Sequence, residues 1–304
     1  MSLLIEQCLN GLQLGILLFL ISAGLTLVFG IMNFVNLAHG SLFMLGAFVT
    51  AWLTPLLGNY FVAAALAVLS MMLLGLALEF GLLRSFYGRH HLDHVLVTFG
   101  LVLIANEGTR RVWGAQGLTV TLSDTLGSSV EIAPGVSYSL FKLISIGAAL
   151  LACLLLALLI GRTRLGMRIR AGANDREMIE GLGIPINLLF TVVFGLGATL
   201  AGLAGALAVP VMSAQVGMGE EILILTFVVI VLGGVGSVKG SFLAALMVGM
   251  FDVLGRAFLP ALVGLFAPPQ VTSAIAASLS SMLIYIVMAI ALIMRPQGLF
   301  SKAR

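Results

Sequence analysis

Residues 25–48 read LTLVFGIMNFVNLAHGSLFMLGAF, an apolar stretch long enough to cross a membrane but interrupted in its middle by Asn33, Asn36 and His39. A spanning helix needs roughly 20 mainly apolar residues to cross a hydrocarbon layer of about 30 Å. Polar groups at that depth are costly unless they face protein or a water-filled cavity. Gly30, Gly40 and Gly46 allow the backbone to bend or pack closely there. The stretch therefore admits two readings. One is a discontinuous helix lining a path, with Asn33, Asn36, His39, Gly40 and Ser41 as its candidate lining. The other is a hairpin turn between two ordinary spans, with His39 at headgroup level.

The rest of the chain agrees that lipid is the solvent. Of 304 residues, 61% are hydrophobic and 9% charged, and the mean hydropathy is +1.18. Folded in water, such a chain would leave large apolar surfaces exposed. Its length allows about eight to ten crossings and leaves no room for a soluble catalytic domain. The 36 glycines suit membrane helices, whose backbones approach closely at small residues. No Lys or Arg precedes the first apolar run, so the front of a cleavable signal peptide is missing and the first span is expected to be retained. Cys8 and Cys153 sit in apolar stretches without metal or redox spacing and read as packing residues.

Apolar runs between polar breaks predict spans at 8–30, 36–57, 60–83, 94–113, 139–161, 187–210, 221–238, 239–259 and 273–294. The fold class expected is an all-α polytopic membrane protein with discontinuous segments, in a single transmembrane domain over 1–304. Basic residues orient it. With the N-terminus outside, Arg84, Arg89, Arg162, Arg164, Arg168, Arg170, Arg176, Lys239, Arg295, Lys302 and Arg304 fall on the cytoplasmic side. Arg110, Arg111, Lys142 and Arg256 fall outside. The C-terminus is then cytoplasmic. The longest outside segment, 113–139, alternates apolar and polar residues in two short runs around a Gly-Ser turn and predicts a small hairpin.

The longest inside segment, 162–187, holds RTRLGMRIRAGANDREMIEGLGIPIN. Asn174 followed by Glu177 reads as an N-terminal cap, and Gly181, Gly183 and Pro185 as stops, leaving a helix of about two turns. So short a helix needs its flanking spans or a partner to hold it. Its mixed face, Asp175, Arg176, Glu177, Met178, Ile179 and Glu180, suits a groove on another protein; the alternative is an interfacial loop whose arginines only set topology. Late in the chain, VLGGVGSVKGS places Lys239-Gly240-Ser241 after a Gly-interrupted apolar run, as His39-Gly40-Ser41 is placed earlier. Paired broken segments of this kind point to a central pathway. No lysine follows a glycine in the order a phosphate-cradling loop requires, so nucleotide chemistry would belong to another subunit.

The remaining charges read as local pairs. Glu107 precedes Arg110 and Arg111 by three and four residues, and Asp252 precedes Arg256 by four. Glu79 has no partner at such spacing; a proton-coupled carrier would want such a carboxyl deep in the membrane, whereas Glu79 reads as lying within a turn or so of the cytoplasmic interface. The string RHHLDH, with His90, His91, Asp93 and His94, reads as a solvated loop in preference to a metal site. No arrangement for nucleophilic catalysis is visible, and neither metal, cofactor nor nucleic acid is expected on this chain.

Three motifs in order now support a resemblance: LTLVFGIMNFVNLAHGSLFMLGAF; GMRIRAGANDREMIEGLGI followed by FTVVFGLGATLAGLAGAL; and VVIVLGGVGSVKGSFLAALMVG. The chain resembles the branched-chain amino acid importer permeases of the high-affinity Liv type. That resemblance implies an ATP-binding cassette importer of the bacterial inner membrane. Two related permeases, or two copies of one, would pair above two ATPase subunits that bind ATP and Mg, and a periplasmic binding protein would deliver solute. It implies that Asn174 to Gly183, including Gly181, is the coupling helix, and that Gly233, Gly234, Gly236 and Gly240 are the family's glycine-rich bend. Asp124, Glu131, Glu220 and Glu221 are candidate contacts for the binding protein. Urea, amide or aromatic-acid cargo, and a proton- or sodium-coupled carrier, remain as alternatives.

Overall fold

The computed structural model describes residues 2–234, 236–266, 268–295 and 298–299; Lys302 and Arg304 of the charge count lie outside the described residues. In chain order the elements are α1 (Ser2–Met32), α2 (His39–Leu57), α3 (Tyr60–Gly81), a 3₁₀ turn (Leu83–Phe86) and α4 (His91–Trp113). Then come α5 (Asp124–Gly127), β1 (Ser129–Ala133), β2 (Val136–Ser139), α6 (Leu140–Arg162), α7 (Arg164–Asn174) and α8 (Arg176–Gly181). The chain closes with α9 (Ile186–Ala208), α10 (Met218–Gly233), α11 (Val238–Val263) and α12 (Pro269–Met294). Seven of these, α1, α2, α3, α6, α9, α11 and α12, are long and apolar enough to cross a membrane. The chain is an all-α multi-pass membrane protein.

The two other expected spans are also helices, of a different kind. α4 carries Asp93, Glu107, Arg110 and Arg111 within its 23 residues. α10 has only 16 residues, about 24 Å at the α-helical rise and short of a full crossing.

The core is built around α1 and α9. Gly24 lies against Gly197, while Ile31 and Leu189 meet around Gly172, so the two helices run antiparallel. α2 runs beside α9 in the same direction, with His39 near Gly197, Gly46 against Gly202, and Phe43 and Ala47 against Gly205. α11 lies along the other side of α1 through Gly11, Gly15 and Gly249. Lipid tails give helices no hydrophobic reason to associate, so close backbone approach at small residues supplies the attraction.

The start of α2 decides between the two readings of the interrupted stretch. His39 is buried, and its Nε2 lies 3.1 Å from the carbonyl oxygen of Ile21. α1 continues eleven residues beyond Ile21 to Met32, roughly 16 Å further along its axis. The chain therefore doubles back after Met32. Residues 33–38 are not helical and return alongside the last turns of α1, turning at Asn33, whose φ is +50°. α2 begins deep in the bundle. The headgroup-level placement of His39 is corrected, and the crossing is discontinuous. α10 mirrors this: it starts after Gly217 in the left-handed region (φ +95°), and its Gly219 packs backbone to backbone on Gly40.

The hairpin expected in 113–139 forms, with a different turn from the one expected. β1 and β2 pair antiparallel, with Ser129 opposite Ser139 and Val130 opposite Tyr138. Between them stand Pro134 and Gly135, the latter at φ +76°. Proline fixes the entry to such a turn and glycine takes the left-handed position, which the Gly127-Ser128 pair does not offer together. The first run instead bridges Leu118 to Ala214, through hydrogen bonds of 2.9 and 2.8 Å. Burial pushes the Tyr138 phenol up to about 12, so its hydroxyl stays a donor to Asn10 Oδ1 at 3.2 Å and ties the hairpin to α1.

The glycine seams yield a sign test. Alanine in a helix is favoured over glycine by about 1 kcal/mol, yet a Cβ on Gly205 would collide with the Phe43 carbonyl oxygen, whereas one on Gly100 meets nothing within 4 Å. Gly205→Ala is expected to lower the thermal unfolding midpoint in detergent, because overpacking costs about 1–3 kcal/mol. Gly100→Ala should leave it unchanged or raise it. Equal shifts for the two would count against the seam.

Candidate functional site

The polar arm between α6 and α9 is two helices. Thr163 caps α7, its Oγ1 accepting from the Gly166 N–H at 3.0 Å, and the Arg170 guanidinium donates to the Ile160 carbonyl. α7 runs through Asn174, so the expected cap moves by one residue: Asp175 is extended and its Oδ1 accepts from the Met178 N–H at 3.0 Å. Asn and Asp are equally good caps, and Asp175 is the one whose backbone leaves the helix, its own N–H closing α7 on Ala171. α8 stops at a Schellman turn. Ile184 N–H bonds to Ile179 O and Gly183 N–H to Glu180 O, with Gly183 at φ +77°.

One face of α8 is anchored and the other is open. Ile179 is buried, while Met178 and Leu182 are 58% and 71% exposed. Glu177, Glu180, Gly181 and Gly183 are also exposed; the side chain of Arg176 lies outside the described residues. Glu177 stands in the first turn, where the helix dipole favours a carboxylate.

The three motifs converge on one cavity of about 680 Å³, lined by Phe29, Gly30, Ile31, Asn33, Gly172, Ala173, Asn174, Asp175, Glu177 and Gly236. The end of α1, the arm and the glycine-rich bend thus share walls. In that bend Gly234 and Gly236 take φ of +90° and +82°. Gly233 and Gly240 touch through their backbones, and Ser237 Oγ caps α11 by accepting from the Gly240 N–H at 3.1 Å. The two similar triplets open comparable helices: Gly40 packs on the start of α10 and Gly240 on its end. Ser241 is buried with its hydroxyl 3.3 Å from that of Thr26, and Ser41 is buried as well.

Asn36, in the break, is wholly buried, and neither its amide nitrogen nor its oxygen has a hydrogen-bond partner among the described residues. A buried amide left open is expensive, about 1–3 kcal/mol by mutational measures, and is normally met by water or a ligand.

Several charged and polar residues lie where spacing alone does not put them. Glu79 is fully buried and accepts from the hydroxyls of Tyr87 and Thr191, each at 2.7 Å, which corrects the reading of it as unpartnered. His94 is buried too, its Nε2 2.8 Å from Phe86 O and its ring 4.4 Å from that of Phe34. It is a packing residue, whereas its neighbours His90 and His91 are exposed. The local pairs follow their spacing: Glu107 is 3.4 Å from Arg110 and 3.7 Å from Arg111, and Asp252 is 2.9 Å from Arg256. Of the four acidic candidates for docking, Asp124, Glu131 and Glu221 are exposed, and Glu131 accepts from the Gly135 N–H at 2.8 Å. Glu220 is turned inward and accepts from the Asn106 amide.

Residues 7–292 match the family model described as "Branched-chain amino acid transport system / permease component". The chain is 28% identical to the high-affinity branched-chain amino acid transport system permease protein BraD of Pseudomonas aeruginosa, over 83% of this chain and 86% of the relative. It is 28% identical to the permease protein LivH of Escherichia coli K12, over 84% and 87%. It is 26% identical to a probable LivH of Methanocaldococcus jannaschii, over 78% and 76%. No solved structure matches it.

The cap on α8 gives a local prediction. Asp175→Ala removes a bond worth about 1 kcal/mol, so amide hydrogen exchange over residues 176–181 should accelerate several-fold while exchange in α9 stays unchanged. An unaltered rate would mean that the buried Ile179 alone holds the helix.

Proposed function

Because this chain belongs to the branched-chain amino acid transport system / permease component family, we propose that it is the membrane-spanning permease subunit of an ATP-binding cassette importer for branched-chain or similar small amino acids. The observation that carries the reading is the shared cavity: a short capped helix with an open apolar face stands on the same space as the broken end of α1 and the Gly236 turn. The excess of basic residues in that arm supports a cytoplasmic side for it and for the C-terminus, in a bacterial inner membrane.

Two ATPase subunits holding ATP and Mg dock on α8, where Met178 and Leu182 offer apolar contact and Glu177 and Glu180 offer charge. A second permease, related or identical, completes the path. A periplasmic binding protein approaches the hairpin end, where Asp124 and Glu131 steer association more than they stabilise it; Glu221, at the start of α10, stands instead beside the break. The path runs through the break, with Asn33, Asn36, His39, Gly40 and Ser41 on one side and Gly233, Gly234, Gly236 and Gly240 on the other.

Coupling is a matter of linkage. ATP shifts the spans only by binding one arrangement of the assembly better than the other. A rigid continuous helix would pass a push from α8 along its axis; the ends at Asn33 and Gly236 give at that point and convert it into a change of the path. Chain breaks of this kind are where transporters hold their central sites.

The test is uptake by the chain reconstituted with its ATPases and binding protein. Leucine accumulation should require ATP. Gly183→Val forces a β-branched residue into the left-handed region and should abolish uptake while ATP hydrolysis persists. Uphill accumulation by the chain alone, abolished by Glu79→Gln, would identify an ion-coupled carrier instead.

A further inference from the structure

Four polar atoms without partners lie along one face of α4 and at the start of α10, which meet at Asn106 and Glu220. They are Glu220 Oε2, Asn106 Oδ1, Thr109 Oγ1 and Trp113 Nε1, all shielded from solvent and without a hydrogen bond among the described residues. Thr109 is 1% exposed. Asn106, Thr109 and Trp113 are three and four residues apart in turn, so they share one face of α4. Asn106 Nδ2 donates to Glu220 Oε1, which joins two residues that each carry one open acceptor oxygen. No cation among the described residues reaches Glu220, since Arg110 and Arg111 both pair with Glu107.

Such a cluster is costly empty. A buried carboxylate oxygen and an amide oxygen left open lose their hydration without compensation, and native proteins rarely leave several together. Its position matters too. Gly219, next to Glu220, is the residue that packs on Gly40 at the start of α2, so the cluster stands at the depth of the break. Beside it is an apolar wall: Met44 and Phe48 with Ala105, Trp113 and Met218, the Trp113 ring 5.5 Å from that of Phe48. An apolar wall with a few convergent polar groups is the general form of a small-molecule site.

We propose that Glu220 and Asn106 form a recognition station for the primary ammonium group of a small aliphatic solute. A negative carboxylate and a neighbouring amide oxygen supply acceptors only, which an ammonium with its three donors satisfies. The aliphatic part lies against Phe48 and Met218. Thr109 and Trp113 remain open to other polar atoms of the solute or to its accompanying water. The proposal rests on the transport reading for its occupant, and its test is independent of uptake.

Trp113 is the reporter. In the full-length chain in lipid nanodiscs, with Trp52→Phe removing the other tryptophan, emission is followed during titration with L-leucine, isoamylamine, 4-methylpentanoate and sodium chloride. Leucine and isoamylamine should shift it saturably; 4-methylpentanoate, which lacks the ammonium, and sodium should not. Glu220→Gln should weaken the isoamylamine response by about tenfold or more, as loss of a charge-assisted bond requires. Asn106→Ala, a second variant, should weaken it as well. A response to the carboxylate or to sodium alone, an unchanged affinity in both variants, or no response to any probe, which would leave water as the only occupant, overturns the proposal. Such failure beside intact ATP-dependent uptake would leave the permease reading standing; a clear amine response without uptake would do the reverse.

Discussion

Gly40 and Gly219 touch through their backbones, and any side chain on either would drive a Cβ into the other's carbonyl. α2 and α10 both begin inside the bundle, and each start exposes N–H groups that no water-filled surface can satisfy. Bringing the two starts together, with His39 reaching the Ile21 carbonyl and Gly24 and Gly197 giving the imidazole room, makes a buried helix break tolerable. Without that close approach the stretch would revert to the ordinary hairpin its hydropathy also allows.

Most of the polar chemistry of the chain is arranged around this break. Asn33 turns it, Asn36 lies unpartnered inside it, and Glu220 stands one residue past the glycine that seals it. Below it, the arm and Gly236 close the same cavity. The helices that carry no part of the break, α6 and α12, show their apolar faces outward, as at Leu154, Leu155, Met282 and Ile286. The chain thus separates a lipid-facing shell from a core that tolerates irregular backbone because protein surrounds it.

Hydropathy read seven of the nine expected spans well because a span's length is imposed by the bilayer, whereas α10 stops at Gly233, five residues short of the expected end, and α4 and α10 are not long and apolar enough to cross. Finer features depended on choices that neighbouring residues make almost equally well. Asn174 and Asp175 are interchangeable as caps, and only the backbone at Ala171 decides between them. Gly127-Ser128 and Pro134-Gly135 are both turn signals, and the second won because the first run is drawn away to Ala214. Glu79 looked unpartnered because Thr191 is 112 positions distant, beyond any periodicity argument. Glu220 and Glu221 are adjacent acids with opposite surroundings, and no local pattern says which one turns inward. The break was legible only as one of two readings, since Asn33, Asn36 and His39 need protein or water around them at membrane depth, whereas a hairpin at headgroup level would leave them solvated.

α4 fits neither a lipid-facing span nor a soluble helix. A lone charge at the centre of a bilayer is unfavourable by about 2.5–3.5 kcal/mol on insertion scales, and Glu107, Arg110 and Arg111 occupy consecutive turns of its second half. Pairing offsets part of that, but all three are more than half exposed at the side chain. Asn106 and Thr109, on the face turned to α10, would be out of place in contact with lipid as well. A helix with ion pairs on one face and open polar atoms on another belongs beside a hydrated space or a protein neighbour, and the start of α10, with exposed Glu221, lies against it. α4 and α10, which hydropathy alone would take as spans but which lie outside the seven helices long and apolar enough to cross a membrane, therefore meet each other at Asn106 and Glu220.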